Sequence, residues 1–195
     1  MTRRITALLV VLVLAGLVVS PADAAKKKKK KKVKKPIAVT STQYLAWEGG
    51  AECAGGPILA PVPTPNAEAC ALFGPELATS IEFASAGPTA FKLDAAKPIT
   101  VDFSLFHVAS VAADFTVDVT ATVDGKEMTL ATGTENIMAA ANESTPLHYE
   151  LKPDAAANGK VLTNLAVTIT WASGATFSQM EIDAGDSPVV LHGFK

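Results

Sequence analysis

The strongest constraint in this chain is a two-residue rhythm of apolar and polar side chains. Phe115, Val117, Val119, Ala121 and Val123 alternate with Asp114, Thr116, Asp118, Thr120 and Thr122. Successive side chains of a β-strand point to opposite faces, so this rhythm gives one greasy face and one wet face. An amphipathic helix would need a repeat near 3.6 instead. Leu165, Val167, Ile169 and Trp171 follow the same rule, as do Ile99, Val101, Phe103 and Leu105. Asp124-Gly125 closes the first of these runs, and Met128 and Leu130 open a return strand. An Asp-Gly pair between alternating runs is a hairpin signal, because both residues accept the positive φ of a tight turn.

Shorter strand candidates are Ile37–Tyr44, Leu77–Phe83, Thr89–Leu93, Leu147–Leu151, Phe177–Ile182 and Val189–Phe194. Turn chemistry separates them at Gly87-Pro88, Lys97-Pro98, Pro153-Asp154, Asn158-Gly159, Ser173-Gly174 and Asp186-Ser187-Pro188. Glu135–Asn142 could form a turn or two of helix, and Pro75-Glu76-Leu77 could open a short helical turn. The expectation is an all-β chain: a two-sheet antiparallel β-sandwich, jelly-roll-like, of about nine strands. An immunoglobulin-like strand order is the alternative.

The N-terminus reads as a secretory signal over residues 1–24. Arg3 and Arg4 precede an apolar run from Ala7 to Val19, and Ala22-Asp23-Ala24 supplies a small-x-small cleavage pattern. The run is shorter than the roughly 20 apolar residues of a membrane span. Residues 25–36 read as a disordered linker. It carries Lys26, Lys27, Lys28, Lys29, Lys30, Lys31, Lys32, Lys34 and Lys35 and has nothing apolar to bury beyond Val33. Residues 37–195 then form a single domain, in a secreted setting with attachment to the cell envelope.

Charge is sharply divided. The chain has 17 basic and 19 acidic residues, but two arginines and nine lysines precede Pro36. Six basic and eighteen acidic residues follow it, so the body is near −12 and the tail is +9. The tail is expected to act as a polycationic tether to an anionic cell-wall polymer or membrane surface, each lysine contributing about 1 kcal/mol before screening. The alternative is a solvated spacer resting on its own acidic domain. No aromatic residue interleaves the lysines, so nucleic acid is not an expected partner.

Cys53 and Cys70 are the only cysteines, and an even pair in an exported chain predicts a disulfide. It would close a Gly- and Pro-rich loop poorly suited to full sheet pairing, and stabilise the fold by about 3 kcal/mol.

Catalytic signatures are scarce. His107, His148 and His192 sit in no metal-ligand spacing, and no nucleophile elbow, phosphate loop or dinucleotide fingerprint is present. The expectation is no enzyme and no cofactor, although a Ser–His–Asp set assembled in space would escape a linear search. Glu181, Asp183 and Asp186 cluster at a strand end and could hold calcium, the alternative being a solvated turn. Trp171 and Tyr149 fall on apolar strand faces and are expected in the core. Tyr44, Trp47, Phe106 and His107 are less constrained, and Phe106-His107 reads as a break in its strand's alternation. These four are the candidate ligand surface, with glycan as the partner. His148 should point outward beside Glu150.

Pro98-Ile99-Thr100-Val101-Asp102-Phe103, the Val117–Gly125 strand and turn, and the closing Phe177–Phe194 stretch together resemble a known group. It comprises the secreted, alanine-rich proteins of high-GC bacteria that carry a jelly-roll or galactose-binding-like accessory sandwich. The resemblance implies the sandwich fold and a module that binds glycans or attends a secreted hydrolase; it carries no residue set with it. The leading expectation is an exported, non-catalytic β-sandwich that binds at the cell envelope. A carbohydrate-binding module and a secreted hydrolase of unrecognised type are the alternatives. Oligomeric state is not legible.

Overall fold

The computed structural model describes residues 35–48, 56–63, 71–73, 79–171, 180–183 and 186–195. The expected signal segment 1–24, Lys26–Lys32, Lys34, the Cys53–Cys70 bridge and the Pro75 turn lie outside the described residues.

Among the described residues the chain forms twelve strands. They are β1 (Ala38–Trp47), β2 (Pro57–Ala60), β3 (Ala71–Phe73), β4 (Ser80–Ala84), β5 (Lys92–Leu93), β6 (Ile99–His107), β7 (Val111–Val123), β8 (Lys126–Ala139), β9 (Glu143–Leu151), β10 (Leu162–Trp171), β11 (Met180–Asp183) and β12 (Pro188–Phe194). The chain is all-β, as the alternation predicts. The strand number exceeds nine in part because the short β2 forms within the Cys53–Cys70 segment and β3 directly follows it. Pro57 opens β2, where its missing N–H removes no ladder bond. The stretch expected to curl at Glu135–Asn142 stays extended to Ala139 and turns only afterwards, so a helical turn there is corrected. Its partner β7 holds it at thirteen register positions from Val111↔Ala139 to Val123↔Lys126. The helical content of the described residues is one 3-10 turn, Ala155–Ala157, whose first N–H groups are capped by Asp154 Oδ1 accepting from Ala156 N–H at 2.8 Å.

Two runs of strands result. In one, β12 pairs with β1 on one edge and with β5 and β6 on the other; β6 also pairs with β9 along its whole length and with β11, which carries β3. In the other, β4, β10, β7 and β8 pair in that order. β2 connects the runs, antiparallel to β1 and joined to β4 by the parallel bridge Ile58↔Ala84.

The rhythm read from the sequence matches the burial. β6 and the later part of β7 alternate buried and half-buried residues without interruption. Ile99, Val101, Phe103 and Leu105 of the first run share one apolar cluster with Phe115, Val117, Val119, Leu165, Val167 and Ile169 of the second. Tyr149 of β9 crosses between the runs: its hydroxyl donates to the Phe115 carbonyl of β7 at 3.2 Å, and its ring stacks on Phe103 at 5.8 Å. The two runs thus share one core, although hydrogen bonding joins the strands into a single mixed sheet rather than two separate antiparallel ones. Asp124 and Gly125 adopt φ of 50° and 78°, the tight turn their pairing predicts.

Candidate functional site

A groove of about 420 Å³ lies on the outer face of β6 and β9, lined by Asp102, Ser104, Pro146, His148, Asp186 and Ser187 among others. The strand rhythm builds it. Even-numbered residues of β6 and β9 face outward because the odd-numbered ones fill the core. The register then sets Asp102 opposite His148 and Ser104 opposite Pro146. Directly opposed side chains on one face lie within contact distance.

His148 Nδ1 hydrogen-bonds Asp102 Oδ1, and His148 Nε2 lies 3.8 Å from Glu150 Oε1. The imidazole is therefore flanked by carboxylates on both ring nitrogens. The Asp102 hydrogen bond first, then its charge, raises the His148 pKa above the ordinary imidazole value. His148 points outward beside Glu150, as expected, with 60% of its side chain exposed. The site offers an imidazole between two carboxylates, beside the Ser104 hydroxyl. That array suits a ligand rich in hydroxyl groups.

His107 is different. It continues the inward set of β6 and is fully buried, so the break in alternation expected at Phe106-His107 does not occur. Its Nε2 is 2.9 Å from Thr145 Oγ1, whereas Nδ1 is buried without a hydrogen-bond partner. Burial lowers its pKa, and Glu143 partly opposes that. Among the described residues, neither His107 nor His148 hydrogen-bonds a serine.

Trp47 also belongs to the core. It is 7% exposed and its ring packs against Phe83 at 5.2 Å, so it presents no open face to a ligand. Gln43, Leu45 and Trp47 are all buried, and this two-residue spacing was the signal that placed Trp47 inward. Tyr44 and Phe106 are half-buried and lie on the outward parity of their strands. Tyr44 sits opposite Pro188, whose neighbour Val189 pairs with Val101; Phe106 sits opposite Glu181. Phe106 is two residues along β6 from Ser104 on the same face, whereas Tyr44 lies on β1, and neither aromatic lines the groove. Trp171 and Tyr149 are core residues, as expected.

Of the acidic cluster, Glu181 is half-buried on β11, Asp183 ends that strand opposite Ser104, and Asp186 is exposed at the groove. Among the described residues no three His, Cys, Asp or Glu side chains are grouped to hold a metal ion. Asp102 and Ser104 were not singled out by sequence; their outward parity was visible, but their partner across the sheet was not. A second hollow, of about 600 Å³, lies over Glu82, Ser85, Thr120, Thr122 and Asn164 on the outer face of the other run. It holds no aromatic side chain and no histidine. No described helix is long and apolar enough to cross a membrane.

No family model matches this chain, and no curated protein matches it. Among solved structures, the arabinose-bound MgGH51 α-L-arabinofuranosidase is similar to 83% of this chain, with 15% sequence identity and a TM-score of 0.42. The chain spans 24% of that protein's length.

Proposed function

We propose that this is an exported, non-catalytic β-sandwich protein of the cell envelope, held to an anionic surface by its lysine run. The observation that supports the reading is the charge division: +9 over residues 26–35 against about −12 from residue 36 onward. The folded body repels anionic surfaces at long range, so retention depends on a local cationic segment. Polycationic retention of this kind is screened by salt. The test is sedimentation with anionic wall polymer and with anionic vesicles at low and high ionic strength. The intact chain should bind both only at low salt, and replacing the nine lysines of residues 26–35 by Ser should abolish binding. Equal binding by that variant would remove the reading.

A second reading, glycan binding, is favoured by the groove. Asp102, Ser104 and His148 line it and offer polar contacts, and Phe106, two residues from Ser104 on the outward face of β6, supplies a ring for stacking. It commits the groove rather than Trp47. Chemical-shift mapping with plant and bacterial oligosaccharides should move the His148 and Phe106 signals. Shifts confined to other surfaces, or none at all, would discard it.

A further inference from the structure

The described lysines all stand at one end of the fold. The antiparallel registers bring the starts of β1, β5, β6, β8 and β10 to that end, together with the finishes of β7, β9 and β12. Lys92 opens β5 and Lys126 opens β8. Lys97 lies two residues before β6, and Lys160 two before β10. Lys152 and Lys195 directly follow β9 and β12. Ile37 and Lys195 exchange backbone hydrogen bonds at 3.3 and 3.0 Å, so Lys35, two residues before Ile37, belongs to this same end. All seven lysines are exposed. No other lysine and no arginine occurs after Lys35, so the far end has neither. Glu48, Glu143 and Asp186 are among the acids exposed there.

Five carboxylates among the described residues share the lysine end: Asp94, Asp124, Glu127, Glu150 and Asp154. Three are engaged locally. Asp94 Oδ1 accepts from Ala96 N–H at 3.2 Å, Asp154 Oδ1 from Ala156 N–H at 2.8 Å, and Asp124 binds Lys160 Nζ at 2.6 Å. The other lysines form no ion pair among the described residues and are free to meet an external anion. Two apolar side chains stand open among them: Ile37, 69% exposed, and Val161, 44% exposed. Val161 bridges to Lys92, and Ile37 to Lys195. Ammonium groups beside exposed branched aliphatics match the phosphates and the apolar edge of a bilayer interface. A hydrated wall polymer has no apolar phase to receive Ile37 and Val161.

We propose that this end of the body is itself a docking face for an anionic lipid bilayer. The inference rests on the electrostatic-retention reading and deepens it: the body stands on the surface in one orientation, instead of drifting on its tail. Trp171 pairs with Phe115, eight residues along β7 from Val123, so it stands roughly 26 Å above the docking face at about 3.3 Å per residue. The edge formed by Trp47, Glu48 and Glu143 then faces away from the membrane.

The test uses the chain from Ala25 onward and vesicles of phosphatidylcholine with and without phosphatidylglycerol. Partition should require the anionic lipid. The triple variant Lys97→Gln, Lys152→Gln, Lys195→Gln should partition at least tenfold more weakly, since each lysine near the surface contributes about fivefold. The matching Arg triple should restore binding. Ile37→Ser with Val161→Ser should weaken vesicle partition severalfold and leave binding to wall polymer unchanged. If the Gln triple partitions as the parent does while the tail variant fails to bind, the docking face is refuted and the tether survives. If the Ser pair changes nothing on vesicles, the bilayer assignment falls. Failure of the parent chain to bind any anionic surface at low salt would remove the underlying reading instead.

Discussion

Tyr149→Phe tests the joint between the two strand runs. The Tyr149 hydroxyl reaches across the core and donates to the Phe115 carbonyl at 3.2 Å. The residue is 2% exposed, so no water replaces the lost donor. Burial also raises the phenol pKa, which keeps the proton on the oxygen at any physiological pH. Removing one buried, neutral hydrogen bond costs about 1 kcal/mol. The ring remains, and with it the stack on Phe103. For a domain of this size that cost lowers Tm by about 2–4 °C. With a urea m-value of about 2 kcal/mol/M, the midpoint falls by about 0.5 M with m unchanged. Tyr149→Ala removes the ring as well and should cost about 3–5 kcal/mol, as large aromatic truncations do. Urea unfolding followed by tryptophan fluorescence and by circular dichroism reads both variants. An unchanged midpoint for the Phe variant, or an Ala variant no worse than it, would refute the cross-core packing.

Other outcomes follow from single contacts. A Cβ at Gly193 would fall on the Lys92 carbonyl and within 2.6 Å of the Phe91 ring, so Gly193→Ala should destabilise by about 1–3 kcal/mol, measured by thermal unfolding. The same change at Gly56, where a Cβ meets nothing, should be near neutral. Burial lowers the His107 pKa in the folded chain below the unfolded value of about 6.5. The unfolded chain then takes up a proton first, so stability should fall as pH drops below about 6.5; Tm against pH for His107→Gln should lack that slope. His148 has the opposite sign. Its folded pKa is raised by Asp102, so its contribution is fully present below about 6.5 and fades as pH rises through the folded pKa. Asp102→Asn should move the His148 titration to lower pH, read from the ring proton shifts in NMR, and an unmoved titration would deny the pair.

Much of the fold was legible because alternation is a local property. Val117, Val119 and Val123 had to face one way and Thr116, Asp118 and Thr122 the other, whatever they packed against. The same parity, carried two residues further, places His107 beside Leu105 and Trp47 beside Leu45 on the buried side; reading those two as open was a failure to extend the rhythm. The Glu135–Asn142 stretch was ambiguous because alanines suit both helix and strand, and only pairing with β7 decided it. The site was less legible. Asp102 and His148 are 46 residues apart, and nothing near either one names the other.

By itself the sequence determined which side chains are wet and which are dry, where the Asp124-Gly125 hairpin turns, and how the charge divides between tail and body. Tertiary structure alone decided the neighbours. Strand order sets Asp102 against His148, crosses Tyr149 to Phe115, and gathers lysines from six separated strand ends onto one face. The reason is physical: a strand's period is written in its own residues, whereas its partner is chosen by the packing of the whole core.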